Sequence, residues 1–162
     1  VTPARATALA RRLVDSATAK GLKVAAAESC TGGLVAAAIT DIAGASAVFD
    51  RAFVTYSNAA KVELLGVRSE TLASDGAVSE AAAREMAAGA LARSQADVAV
   101  AITGIAGPSG GTADKPVGLV WFALARRGGA LRAERRLFPA GGRALIRRRA
   151  AETALSLLLS AL

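Results

Sequence analysis

Hydrophobic positions along the chain follow two periods in turn. Over residues 7–20, Leu9, Leu13, Val14 and Ala17 recur at three- and four-residue spacing, which predicts an amphipathic helix, and Gly21 ends it. Residues 23–27, apolar from Val24 until Glu28, read as a short buried strand. Helical spacing returns over 32–42, with Leu34, Val35, Ala38 and Ile39 on one side and Gly44 as a stop. Residues 52–56 are strand-like, around Phe53 and Val54. Ser57 or Asn58 is placed to cap a short helix that runs to Leu65, and Gly66 closes it. Ser79 is placed to cap a longer helix over 80–94. The continuous apolar run 98–102 predicts a strand covered on both faces. A long Gly- and Pro-rich loop follows over 103–118, then a strand over 117–125, a turn at 126–129, a returning strand over 131–138 and a last helix over 143–159.

This order of helices and strands predicts one α/β domain spanning 1–162, a three-layer α/β/α sandwich on a mixed, partly parallel sheet. If the strands ending near Ala27, Tyr56 and Ile102 are parallel and joined by helical crossovers, Ser29, Tyr56 and Thr103 emerge together at the carboxyl edge of the sheet. The hairpin that follows leads back to the same edge, where Arg143 opens a helix, and Lys61 lies about one helical turn beyond Tyr56. Five polar residues converge on one rim by topology alone.

Composition narrows the chemistry. The 162 residues include no histidine, which removes every Ser-His-Asp triad, Cys-His pair and histidine metal site. A single cysteine, Cys30, makes neither an intrachain disulfide nor a thiolate cage. No apolar stretch reaches the ~18 residues of a membrane span, and residues 1–12 carry no export-signal core, so a cytoplasmic protein is expected. Abundant alanine and arginine suggest a GC-rich bacterial genome. The net charge of +7 favours acidic partners, either a phosphate-bearing small molecule or a nucleic acid. Seven arginines (132, 135, 136, 143, 147, 148 and 149) lie between 132 and 149, and a solvated helix face accounts for most of them.

Without histidine, a nucleophile must be activated by lysine, tyrosine or a carboxylate. Ser29 or Thr31 ahead of a helix reads first as an N-cap. The functional alternative is a serine near the positive end of a helix dipole, with the N–H groups of Thr31, Gly32 and Gly33 open to a developing oxyanion. Cys30 shares that address, although a small buried cysteine is common. Tyr56 is the only tyrosine, and Lys61 is one of four lysines. A lysine near Arg143 and a helix N-terminus, in a partly desolvated cationic site, would have its pKa lowered, and either a neutral lysine or a tyrosinate could deprotonate Ser29. The loop 103–118 lacks both a Walker A lysine and a helix that follows directly. It reads as a substrate lid or phosphate cradle, Gly104 and Gly107 among its glycines.

The segments AESCTGG (27–33), GAS (44–46), FVTYSNAAKVELLGV (53–67), GAVSE (76–80) and ITGIAGPSGGTADKPVGLVWFAL (102–124), with the later Arg143, resemble in order the CinA C-terminal-domain family. The resemblance runs over nearly the whole chain. It implies hydrolysis of the carboxamide of nicotinamide mononucleotide to nicotinate mononucleotide and ammonia, the product returning to pyridine-nucleotide synthesis. It makes Ser29 the nucleophile and Lys61 with Tyr56 its activating partners. Thr103 and Arg143 would assist at the substrate, beside Cys30, Thr31, Gly32, Gly33, Gly104 and Gly107. No metal or cofactor is called for. Some members carry an additional N-terminal domain resembling molybdopterin-binding proteins, and this chain is expected to stand without one.

Two other readings compete. A domain of this fold could hold a nucleotide or act as a regulatory partner without hydrolysis; intact Ser29, Tyr56 and Lys61 count against that. The arginine-rich 132–149 segment could bind nucleic acid, but only Phe138 interleaves it, so no stacking platform is evident. The alanine-rich helices 80–94 and 143–159 would suit burial against a second copy, giving a homodimer.

Overall fold

The computed structural model describes residues 4–162; the first three residues of the stretch read for an export signal lie outside it. The described elements are α1 (Ala4–Lys20), β1 (Val24–Glu28), α2 (Leu34–Thr40), a 3-10 turn (Ala45–Ala47), β2 (Phe49–Val54), α3 (Asn58–Leu65), α4 (Ser69–Asp75), α5 (Glu80–Ala92), β3 (Val98–Gly104), β4 (Leu119–Arg126), β5 (Leu131–Leu137) and α6 (Arg143–Ser160). The strands form one sheet in the order β2-β1-β3-β4-β5. β1 pairs in parallel with both β2 and β3, and β3-β4 and β4-β5 are antiparallel. The predicted mixed sheet is the observed one. Among the described residues, no helix is long and apolar enough to cross a membrane.

Alternation of side-chain size in the strands sets the two helical layers. Val24 and Ala26 of β1, Val98, Val100 and Ile102 of β3, and Val120, Phe122 and Leu124 of β4 face one side, against Leu13 and Val14 of α1, Val35 and Ile39 of α2, and Leu155 and Leu158 of α6. The opposite face is nearly all alanine: Ala25, Ala27, Ala99, Ala101, Ala123 and Ala125. That low surface lets α5 lie close to the sheet with Ala83, Met86, Ala87 and Ala90, while Leu65 and Val67 fill the flank. The alanine faces of α5 and α6 pack into the chain's own core.

The deviations from the sequence reading have local causes. α2 begins at Leu34 rather than Gly32 because Gly32 and Gly33 take φ of 56° and 100°, outside the helical region. β2 begins at Phe49, three residues before the predicted start, and stops at Val54, short of Tyr56. α4 was not anticipated; its sequence, SETLASD, offers only Leu72 as an apolar anchor, too little to signal a helical period.

Close approach of α5 to α3 depends on Gly89. A Cβ there would meet the Leu65 carbonyl oxygen at 1.9 Å and its carbon at 2.8 Å. Alanine is the better helix former by ~1 kcal/mol, yet the clash is with backbone that cannot rotate away. Gly89→Ala is expected to destabilise the protein by at least ~2 kcal/mol in urea titration. An unchanged midpoint would mean that the two helices are not held this tightly.

Candidate active site

The strand ends place the groups. The N–H of Ser29 donates to Ile102 O (2.9 Å), extending the β1-β3 ladder by one residue, and the N–H of Thr55 donates to Glu28 O (2.9 Å), extending the β1-β2 ladder. Ser29 is thus anchored at the carboxyl edge of the sheet, 8% exposed. α3 starts almost at once, because the Ser57 hydroxyl caps it by accepting from Ala60 N (3.0 Å). This turns Lys61 back over the sheet edge, where it is only 1% exposed.

Lys61 Nζ lies 2.9 Å from Ser29 Oγ, 2.7 Å from Thr55 O and 3.4 Å from Tyr56 O. Two carbonyls can only accept, so they take two of the nitrogen's protons. The remaining tetrahedral direction points at the serine hydroxyl. In the neutral amine that direction holds the lone pair, ready to accept the Ser29 proton. Burial brings the Lys61 pKa down from 10.5 to about 8. Of the partly desolvated cationic site expected from the sequence, desolvation is the part that acts; the Arg143 guanidinium instead donates to Gly107 O (2.8 Å) and Tyr56 Oη (3.0 Å).

Tyr56 lies on the expected rim, but its hydroxyl is paired with Arg143 and not with Lys61. Its side chain is 63% exposed, and its hydroxyl meets Arg143. It reaches Lys61 only through its backbone carbonyl. Tyr56, Arg143 and Gly107 form a polar rim linking β2, α6 and the glycine-rich loop. Thr103 is buried, and its hydroxyl donates to Ala77 O (2.8 Å), holding the segment before α5. Gly104 ends β3, where a Cβ would meet Val120 Cγ2 at 2.6 Å, so glycine there permits the close approach of the strands.

The turn after Ser29 was only partly legible. Neither Ser29 nor Thr31 caps α2; the N-cap residue is Gly33, which supplies no side chain. The cap comes from Glu28, fully buried at the end of β1. Its Oε1 accepts from Gly33 N and Val35 N (both 3.1 Å), and its Oε2 accepts from Ala36 N (3.0 Å). The N–H of Gly32 donates to Ser29 O (3.1 Å). Gly32 and Gly33 thus have no donor left for an oxyanion, whereas the N–H groups of Cys30 and Thr31 have no backbone acceptor among the described residues. The Cys30 thiol is buried, and burial pushes its pKa up to about 12, so it stays protonated and a poor nucleophile.

Arg147, counted in the sequence only as one arginine of seven, also belongs here. Its Nε donates to Cys30 O and its Nη2 to Thr31 O, both at 3.0 Å. The signal was its spacing: four residues after Arg143, it lies on the same face of α6. A concavity of about 740 Å³ lies elsewhere, a wide trough beside α5 lined by Asp75, Ser79, Arg84, Lys115, Trp121 and Arg135. It holds neither a paired nucleophile and base nor any of the groups above, so chemistry rather than volume locates the site. No group of three or more His, Cys, Asp or Glu able to hold a metal ion occurs among the described residues.

The family model of the CinA C-terminal domain matches residues 6–162. The chain belongs to the CinA C-terminal-domain family. Among curated members, it is 54% identical over 150 residues to the nicotinamide-nucleotide amidohydrolase PncC of Escherichia coli K12, covering 93% of this chain and 90% of that one. It is 59% identical over 133 residues to the protein of the same name from Enterobacter agglomerans, covering 82% of this chain and 80% of that one. Among solved CinA-type structures, the competence/damage inducible protein CihA of Agrobacterium tumefaciens superposes with a TM-score of 0.97 at 52% identity, covering 99% of this chain and 97% of that one. The CinA fold expected from the motifs is the fold observed, and relatives this similar over most of both chains make this chain an enzyme of the amidohydrolase type.

Proposed function

We propose that this enzyme hydrolyses the carboxamide of nicotinamide mononucleotide to nicotinate mononucleotide and ammonia, with Ser29 as nucleophile and Lys61 as its base. The observation that carries the reading is the buried Lys61 Nζ, 2.9 Å from Ser29 Oγ, with its other directions taken by two carbonyls. The named activity of the similar amidohydrolases supports the substrate. Ser29 Oγ attacks the carboxamide carbon as Lys61 takes its proton. The carbonyl oxygen becomes an oxyanion facing the N–H groups of Cys30 and Thr31, which have no backbone acceptor among the described residues. The Lys61 ammonium returns the proton to the amide nitrogen, the C–N bond breaks and ammonia leaves. Lys61 then activates a water that cleaves the acyl ester, releasing the acid and restoring the Ser29 hydroxyl. Tyr56 is assigned to the rim with Arg143, whose exposed guanidinium suits the substrate phosphate. The acid product would re-enter pyridine-nucleotide synthesis.

The test is ammonia release from nicotinamide mononucleotide with EDTA present, followed across pH. Below about 8 Lys61 carries a proton and accepts none. Log kcat/KM is therefore expected to rise with unit slope to a bend near pH 8 and then level off. Cys30→Ala is expected to retain activity within about threefold, because its thiol is not ionised. No ammonia from the folded protein would overturn the proposal, and a profile falling from pH 6 upward would remove Lys61 as the base.

A further inference from the structure

We infer that Arg147 is a positioning residue for acyl transfer, holding and polarising the peptide unit whose N–H receives the oxyanion. This rests on the Ser29–Lys61 reading above. The Cys30–Thr31 peptide is trans, the Gly107–Pro108 bond being the only cis one among the described residues, so its carbonyl and its N–H point in opposite directions. Arg147 Nε donates to that carbonyl at 3.0 Å, which turns the Thr31 N–H away from α6 without a backbone acceptor of its own. The next peptide is held at both ends: Arg147 Nη2 donates to Thr31 O (3.0 Å), and its Gly32 N–H donates to Ser29 O (3.1 Å). One planar guanidinium thus fixes two consecutive peptide planes directly after the nucleophile, as an ammonium with a single point of charge would not.

The electrostatics point the same way. The dipole of α2 cannot supply the positive field, because the Glu28 carboxylate accepts the N–H groups of Gly33, Val35 and Ala36. A charged donor on a carbonyl strengthens the N–H at the other end of the same peptide. Arg147 is therefore the cation that compensates a charge developing at the Cys30–Thr31 turn, acting through the backbone. The close fit also explains the glycine at 32: a Cβ there would stand 3.2 Å from Arg147 Nη2, at a φ of 56° that side chains rarely adopt.

The experiment compares wild type, Arg147→Met and Arg147→Lys in steady-state ammonia release, with folding checked by circular dichroism and the Thr31 amide followed by NMR. Arg147→Met is expected to lower kcat by about 10²-fold with KM changed less than about threefold, the loss typical of one oxyanion donor. Arg147→Lys is expected to recover about tenfold of that loss, since an ammonium reaches one carbonyl at a time. The bend near pH 8 set by Lys61 stays in place, and the Thr31 amide proton moves upfield in the Met variant. Folded variants with kcat within threefold of wild type, a rise in KM alone, or an unmoved Thr31 amide would each overturn the inference. If the Met variant does not fold, the Lys variant decides by the same readouts. Inactive wild type would sink the amidase reading instead, and the Thr31 resonance would still test the polarisation.

Discussion

Lys61→Met is expected to lower amidase activity at least ~10³-fold, which is about 4 kcal/mol of transition-state stabilisation. Ser29→Ala should lose as much, and the double variant little more, because the two atoms act as one unit. The lysine variant also carries a signature independent of catalysis. In the unfolded chain the amine titrates near 10.5, whereas burial brings it to about 8 in the fold. Between those values the unfolded state binds one more proton than the native state, so wild-type stability rises with pH across that window. Below about 8 both states are protonated, and the cost of the buried ammonium is present in full. The methionine variant has no such dependence. Measured by urea titration at pH 7 and pH 10, the stability difference should therefore move by roughly 2–3 kcal/mol in favour of wild type. A difference that stays constant would show that Lys61 is not a lysine of depressed pKa, whatever its effect on rate.

Replacing Glu28 should cost the fold more than any other single polar change at the site. Its two oxygens accept three N–H groups at the start of α2, from inside the protein. Glu28→Gln keeps the volume but turns an NH₂ donor toward at least one of those N–H groups. The expected loss is about 2–3 kcal/mol, and Glu28→Ala, which strands all three donors and leaves a void, about 4 kcal/mol. Activity should fall as well, because Glu28 directly precedes the nucleophile and fixes the turn that carries it. Urea titration of Glu28→Gln decides the matter: a change below 0.5 kcal/mol would mean that water replaces the carboxylate and that α2 needs no such cap.

Much of this was legible in the chain because the relevant information is local. The alternation of Val or Ile with Ala over Val98–Ile102 tells which residues face which helical layer. Ser57 and Gly66 bracket the eight residues of α3, which brings Lys61 to the sheet edge beside Ser29. α4 escaped notice for the same reason in reverse: one apolar residue gives no period, and the helix is held by its neighbours, with the Thr71 hydroxyl on Glu85 (2.6 Å).

What the chain alone determined was the order of elements, the convergence of Ser29, Lys61, Tyr56 and Arg143 on one rim, and, through its long motifs, its family. Tertiary structure decided how these groups divide the work. Tyr56 looks like a base in the sequence, yet its hydroxyl meets Arg143, 87 residues away. Arg147 looks like one more surface charge, yet it grips two carbonyls 116 and 117 residues distant. Which N–H remains free at the nucleophile depends on Glu28 claiming some donors and Ser29 O another. Periodicity encodes which face a residue presents, because that follows from backbone geometry repeated every few residues. A hydrogen bond goes to whichever acceptor the packed layers bring nearest, and that competition is settled only when all of them are in place.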